Sequence, residues 1–244
     1  MTLLERFYPE SRFGGFSDID GSVLFYARVH SLLRPDSIVI DFGCGHHPYS
    51  DDAVEPRRLL RRLNGPKRRV IGVDVDEAAR SNTSVDEFRH FNGAAWPVET
   101  NSADLCLSDF VLEHLEDPQS FFSECARVLR PGGYVCIRTP NAWSYVALAA
   151  RVIPTRFHKR ILRTVQPARH EANVFPAFYR CNSIPRIRRA LTLHGFDAVV
   201  YGHEAEPSYL GFSSLVYRLG VMYQRWSPGF LRTAIFAFGQ FRKR

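Results

Sequence analysis

The sequence predicts an α/β fold, a doubly wound and mostly parallel sheet, on three observations. Short β-branched runs alternate with longer helical patterns, which implies parallel strands joined by crossover helices. The runs are apolar almost throughout, as strands covered on both faces must be. Two of them end in aspartate, at Ile40-Asp41-Phe42-Gly43 and Val73-Asp74-Val75-Asp76, where the carboxyl edge of such a sheet meets its ligand.

Taken in order, residues 37–41 read as the first strand, and 52–63 as a helix whose outer face is basic (Arg57, Arg58, Arg61, Arg62). Residues 69–74 form a second strand and 103–108 a third. An amphipathic helix over 118–129 is stopped by Arg130-Pro131-Gly132-Gly133, because proline cannot continue a helix and glycine takes positive φ freely. The chain then enters a fourth strand at 134–139. Beyond Pro140 come helical runs at 145–153 and 183–194 around a basic loop at 156–169, then a strand at 198–201. The last stretch, 209–241, is rich in Phe, Tyr, Leu and Arg.

A length of 244 residues suits one domain, and 45% hydrophobic with 23% charged residues excludes wholesale disorder. The organisation expected is a single domain over 1–244, with a core at 30–141, a helical and basic cap at 142–195 and closing strands with an aromatic, basic tail at 196–244. The net charge of +7 is unevenly placed. Residues 1–140 carry 16 Lys/Arg and 21 Asp/Glu, a net of −5, whereas 141–244 carry 16 and 4, a net of +12. Such asymmetry points to two tasks in one chain. Five cysteines without a CxxC pair read as buried thiols in a reducing compartment. The start MTLLERFYPE lacks the pattern of a signal peptide, and no apolar run reaches about 18 residues. A cytoplasmic protein, with membrane association as an open option, is the expectation.

Gly43 and Gly45 follow the first strand and let a nucleotide-like ligand lie against bare backbone. A plain strand-to-helix turn is the alternative, against which Asp74 weighs: an acid there can accept both hydroxyls of a ribose. A dinucleotide fingerprint is disfavoured, since GxGxxG would need glycine where Pro48 stands.

Across roughly 35–141 the ordered segments DFGCG, GVDVD, SADLCLSDFVLEHLEDP and LRPGGYVCIRTPN resemble the class I S-adenosylmethionine-dependent methyltransferases, in part those of the ubiquinone pathway. That resemblance implies a Rossmann-like methyltransferase fold and S-adenosyl-L-methionine as cofactor. It further implies that Asp41, Gly43, Cys44 and Gly45 hold the methionine end, that Asp74 binds the ribose, and that Val75 lies beside the adenine. Asn92 and Gly93 stand where relatives carry an acid facing the adenine amine, and an amide oxygen can accept the same bond. Ser108 and Asp109 would line the methyl-transfer crevice. His46-His47-Pro48 departs from the family's usual third glycine.

Methyl transfer to a hydroxyl needs alignment and removal of a proton. His114, in Leu112-Glu113-His114, is the candidate catalytic base, with loop fixing as its alternative role, and Glu113 reads as a local salt-bridge or loop-ordering residue. No metal is expected, because Phe110 occupies the place where some relatives complete a metal site with a carboxylate. His46, His170 and Tyr179 are candidate acceptor residues, against surface or packing roles.

The expected activity is methyl transfer to an oxygen of a small-molecule, glycan or lipid-linked acceptor, with an anionic acceptor suited to Arg151, Arg156, Lys159, Arg160, Arg163 and Arg169. A catalytically inactive cofactor-binding or membrane-docking protein is the alternative. For the C-terminal run, core closure or a homodimer interface ranks first, a membrane surface second and nucleic acid last.

Overall fold

The computed structural model describes residues 1–46, 49, 52–93, 95–152 and 176–242, with the side chains of 150–152 excepted. Its seven strands form one sheet: β1 (Ile38–Phe42), β2 (Arg69–Asp74), β3 (Glu87–His90), β4 (Ala103–Asp109), β5 (Leu129–Pro140), β6 (Phe196–His203) and β7 (Ala234–Phe241). The spatial order is β3-β2-β1-β4-β5-β7-β6. Pairing is parallel from β3 through β5, and β7 runs antiparallel to both β5 and β6.

The strands' apolar runs are explained by helices on both faces. On one face, α2 (Gly21–Leu32) sets Phe25, Tyr26 and Val29 against Val39, Leu105, Leu107, Cys136 and Phe236. On the other, α4 (Pro118–Val128) and α6 (Ile184–Leu193) set Phe121, Phe122, Cys125, Ile187 and Leu191 against Ile40, Cys106, Ile137 and Ile235. Neighbouring residues such as Val39 and Ile40 thus face opposite layers, as the two-residue period of a strand requires. Each large side chain buried here contributes about 1.5–3 kcal/mol. Asp20 caps α2 by accepting from the amides of Ser22 and Val23, both at 2.9 Å, and Asp117 caps α4.

The remaining helices are α1 (Leu3–Phe7), α3 (Glu55–Arg61), α5 (Tyr145–Val152) and α7 (Ser214–Trp226). Several boundaries differ from expectation for identifiable reasons. The Pro-Gly-Gly stretch after α4 belongs to β5 itself, where the register against β4 shifts between Ala103 and Leu105 and Gly132 takes φ +84°. β3 is short, polar and at the sheet's edge, so it carries no apolar signature. The helix expected over 52–63 is only seven residues long, and its basic outer face is a correction: Arg57 and Arg61 are half-buried. The C-terminal aromatic run divides. Ile235, Phe236 and Ala237 are core residues of β7, whereas α7 lies outside the sheet.

Strand order reverses between β1 and β4, so their carboxyl ends open a crevice at the switch point, where ligands bind in sheets of this kind.

Candidate active site

At the end of β1 the backbone turns at Gly43 (φ +74°), whose amide donates to the Val73 carbonyl at 2.7 Å. A Cβ there would lie 2.3 Å from Val111, so only glycine fits. Gly45 (φ +59°) differs: among the described residues a Cβ would meet nothing within 4 Å, which leaves the outer side of the turn uncovered by them. Its amide donates to Asp74 Oδ2 at 2.8 Å, and Asp74 Oδ1 accepts from the Asp76 amide at 2.9 Å. Asn82 closes the turn from below, donating through Nδ2 to the carbonyls of Cys44 (2.9 Å) and Gly45 (3.0 Å). Sequence reasoning missed Asn82, which has no signal beyond lying a few residues after the Asp76 cap.

Asp41, Asp74 and Asp109 converge at this edge. Burial, together with the nearby Asp109 and Asp74 carboxylates, pushes the Asp41 carboxyl up to about 7. Burial would likewise raise Asp109, but the Arg138 guanidinium outweighs it and holds that carboxyl below the usual carboxylate range. The Arg138 fork donates from Nε to Asp109 Oδ1 and from Nη2 to Oδ2, both at 2.6 Å, and Tyr26 donates its hydroxyl to Oδ2 at 2.8 Å. Both Asp109 oxygens are thereby engaged in holding Arg138. Carboxyls gathered at this edge suit a cationic ligand, which would draw Asp41 into its charged form.

Ser108 is fully buried at the end of β4, and its hydroxyl has no hydrogen-bond partner among the described residues. An orphaned buried hydroxyl at the end of β4 fits a polar partner. Val75 is 54% exposed just past β2, an apolar surface for a flat ring. Asn92 and Gly93 are exposed nearby, with the Gly93 Cβ direction open to 4 Å. Cys44 is buried, and a Cβ on Gly72 would meet its Sγ at 2.7 Å, so its side chain packs inward while its backbone forms the turn. His46 is partly buried at the end of the turn; His47 and His170, with the basic loop at 156–169, lie outside the described residues.

Beside the crevice is a cavity of about 280 Å³ whose walls include Phe110, Arg138, Tyr145, Tyr179, Glu204 and Arg57. Phe110 and Tyr179 both hold positive φ, +57° and +53°, a conformation bulky residues rarely adopt and one that clusters at functional sites. Arg57 donates from Nε to Asp20 at 2.6 Å and from Nη2 to Glu206 at 3.4 Å, while Arg61 and Arg138 both donate to Ser22 Oγ, at 3.2 and 2.9 Å. Glu204 accepts from the Thr233 amide (2.7 Å) and hydroxyl (3.0 Å), and burial pushes its carboxyl up to about 7.

His114 is not among the cavity-lining residues. Its Nδ1 donates to the Pro176 carbonyl at 2.8 Å, since a carbonyl can only accept. Buried Glu113 accepts from Thr139 Oγ1 at 3.0 Å, and its backbone carbonyl accepts from the amides of Phe178 (2.7 Å) and Tyr179 (3.1 Å). Asn182 donates to the same Thr139 oxygen at 2.6 Å. Glu113 and His114 therefore tie the segment at 176–182 to the end of β4, which sets Tyr179 in the cavity wall. The expected loop-ordering role of Glu113 matches these contacts.

Residues 40–137 match the family model described as a methyltransferase domain. A probable S-adenosylmethionine-dependent methyltransferase of Mycolicibacterium smegmatis is 39% identical over 123 residues, which are 49% of this chain and 43% of that protein. A ubiquinone biosynthesis O-methyltransferase of Rhizobium leguminosarum bv. trifolii is 30% identical over 105 residues, 42% of this chain and 40% of that one. The matched stretch spans less than half the length of either curated relative. A crystal structure of a SAM-dependent methyltransferase from Aquifex aeolicus, 16% identical, superposes with a TM-score of 0.51 over 91% of this chain and 94% of its own, and so shares the fold. Residues 40–137 thus match a methyltransferase domain, and the sheet in which they lie has the fold of the Aquifex aeolicus enzyme.

Proposed function

We propose that this protein transfers a methyl group from S-adenosyl-L-methionine to an oxygen of a small-molecule, glycan or lipid-linked acceptor. The observation that carries the reading is adjacency: an open, acid-lined glycine turn at the switch point borders a polar and aromatic cavity. When bound, the cofactor supplies an electrophilic methyl on a sulfonium, and the acceptor oxygen displaces the thioether in line. Asp41 and Asp74 offset the cofactor's positive charge, Gly43 sets the turn, the Gly45 backbone admits the cofactor closely, and Ser108 lies at the crevice's β4 edge. Val75, Asn92 and Gly93 flank the adenine, and the Asp109–Arg138 pair fixes the wall between cofactor and acceptor. Tyr179 contacts the acceptor, and His46 and His170 are assigned to the acceptor with it.

The proton is taken by His114 through Nε2, because Nδ1 is committed to the Pro176 carbonyl. A second reading assigns the proton to Glu204, which His114 does not match in one respect: Glu204 lines the cavity.

Calorimetry with S-adenosylmethionine tests the cofactor site: binding in the wild type and its loss in Asp74→Ala are expected, and no binding in the wild type would refute the assignment. With an acceptor in hand, His114→Asn keeps a donor for Pro176 but no base. A loss of kcat of about 10²–10⁴ in that variant supports His114 as base, and full activity assigns it to positioning. Loss confined to Glu204→Gln selects the second reading.

A further inference from the structure

We propose that α7 and its flanks dock this protein on an anionic lipid membrane surface. Leu215, Leu219, Met222 and Trp226 follow the spacing of one helix face and are 69, 56, 54 and 82% exposed. Phe212 and Phe230 extend the apolar surface at either end. The helix is not loosely attached. Its opposite face packs Tyr217 and Val221 with Tyr8 against Leu3, Leu4 and Phe7 of the α1 region. A Cβ on Gly220 would meet Pro207 and Leu210 at 2.7 Å, so the chain before the helix holds it close and sets which face points outward. Among the described residues the outward face is uncovered, and a seated helix that turns four large apolar side chains to solvent marks an interaction surface.

Charge selects the occupant. Residues 207–233 contain Arg218, Arg225 and Arg232 and no Asp or Glu. Arg218 and Arg225 are exposed between the apolar positions, where long stems lie along lipid and the guanidinium reaches headgroup phosphates. Trp226 at the end of the stripe has the amphipathic ring favoured at that depth. A two-fold contact with a second copy would bring these arginines towards their own mates, while Glu10 and Asp18 share a groove with Arg225 at the patch's edge. Among the described residues no helix is long and apolar enough to cross a membrane, and the docking proposed is peripheral. Pro207, Ser208 and Tyr209 also line the acceptor cavity. On the reading proposed above, and only on it, docking would present that cavity to a lipid-linked acceptor.

The test is co-sedimentation of the full chain with phosphatidylcholine vesicles, with and without phosphatidylglycerol, at low and high salt. Binding to the anionic vesicles that weakens with salt is expected, with a blue shift of Trp226 emission that Trp226→Phe removes. Arg218→Gln with Arg225→Gln should weaken binding roughly 30-fold, and Leu219→Gln with Met222→Gln should abolish it. Unchanged S-adenosylmethionine affinity in both double variants shows that they are folded; if the wild type binds no cofactor, circular dichroism serves instead, and the docking result stands apart from the enzymatic one. No sedimentation with either vesicle, sedimentation unaltered in the variants, or a stable wild-type dimer that Leu219→Gln with Met222→Gln dissociates would overturn the proposal.

Discussion

The two ends of the sheet solve different problems by different means. On the β1–β2 side the ligand surface is made of backbone: turns at Gly43 and Gly45, amides gathered on Asp74, and an amide side chain under two carbonyls. On the β5–β7–β6 side it is made of side chains, with Arg57, Arg61 and Arg138 each engaged by acids or by Ser22 from another part of the chain. On the function proposed above, the backbone surface would hold the cofactor whatever the acceptor, whereas the side-chain surface could be tuned to one acceptor.

Breaking the side-chain half should have the largest effect. Among the described residues, Arg138→Met leaves buried Asp109 with the Tyr26 hydroxyl and the more distant charge of Arg61, and a loss of about 3–5 kcal/mol in urea unfolding is expected. Adding Asp109→Leu should recover most of it; a loss below 1 kcal/mol in the single variant would mean that the pair does not hold this wall. Asn82→Ala in the backbone half should cost about 1–2 kcal/mol and weaken S-adenosylmethionine binding about tenfold. If it instead altered acceptor KM with cofactor affinity intact, the division between the halves would fail.

The smallest effect is in pH. Asp41 has a carboxyl pushed up to about 7 from an ordinary value of 3.8, so the folded state binds the extra proton and stability falls as pH rises between those values. A cation placed against Asp41 reverses this. The rise in Tm on adding S-adenosylmethionine should therefore be larger above pH 7 than below it, and the difference should vanish in Asp41→Asn. A pH-independent rise in the wild type would show that Asp41 does not face the cofactor's charge.

Legibility followed the range of the interactions. The four parallel strands of 37–139 were readable because burial on both faces writes itself into consecutive residues, and β3 was not because an edge strand needs no such run. Asp74 was readable from its place at a strand end. Asp109 was expected at the crevice, yet its oxygens are taken by Arg138, 29 residues away. His114 stood out as a titratable residue in a motif, while its contact with Pro176, 62 positions on, could not be seen.

By itself the sequence determined the doubly wound sheet, the glycine turn and the acids beside it, since apolar period, positive φ and strand ends are properties of a few neighbouring residues. Tertiary structure alone decided that β7 slips between β5 and β6, that Arg57 turns inward to Glu206 across 149 residues, and that α7 shows solvent its apolar face. In each case the deciding contact joins distant parts of the chain, and only folding brings the partners within reach.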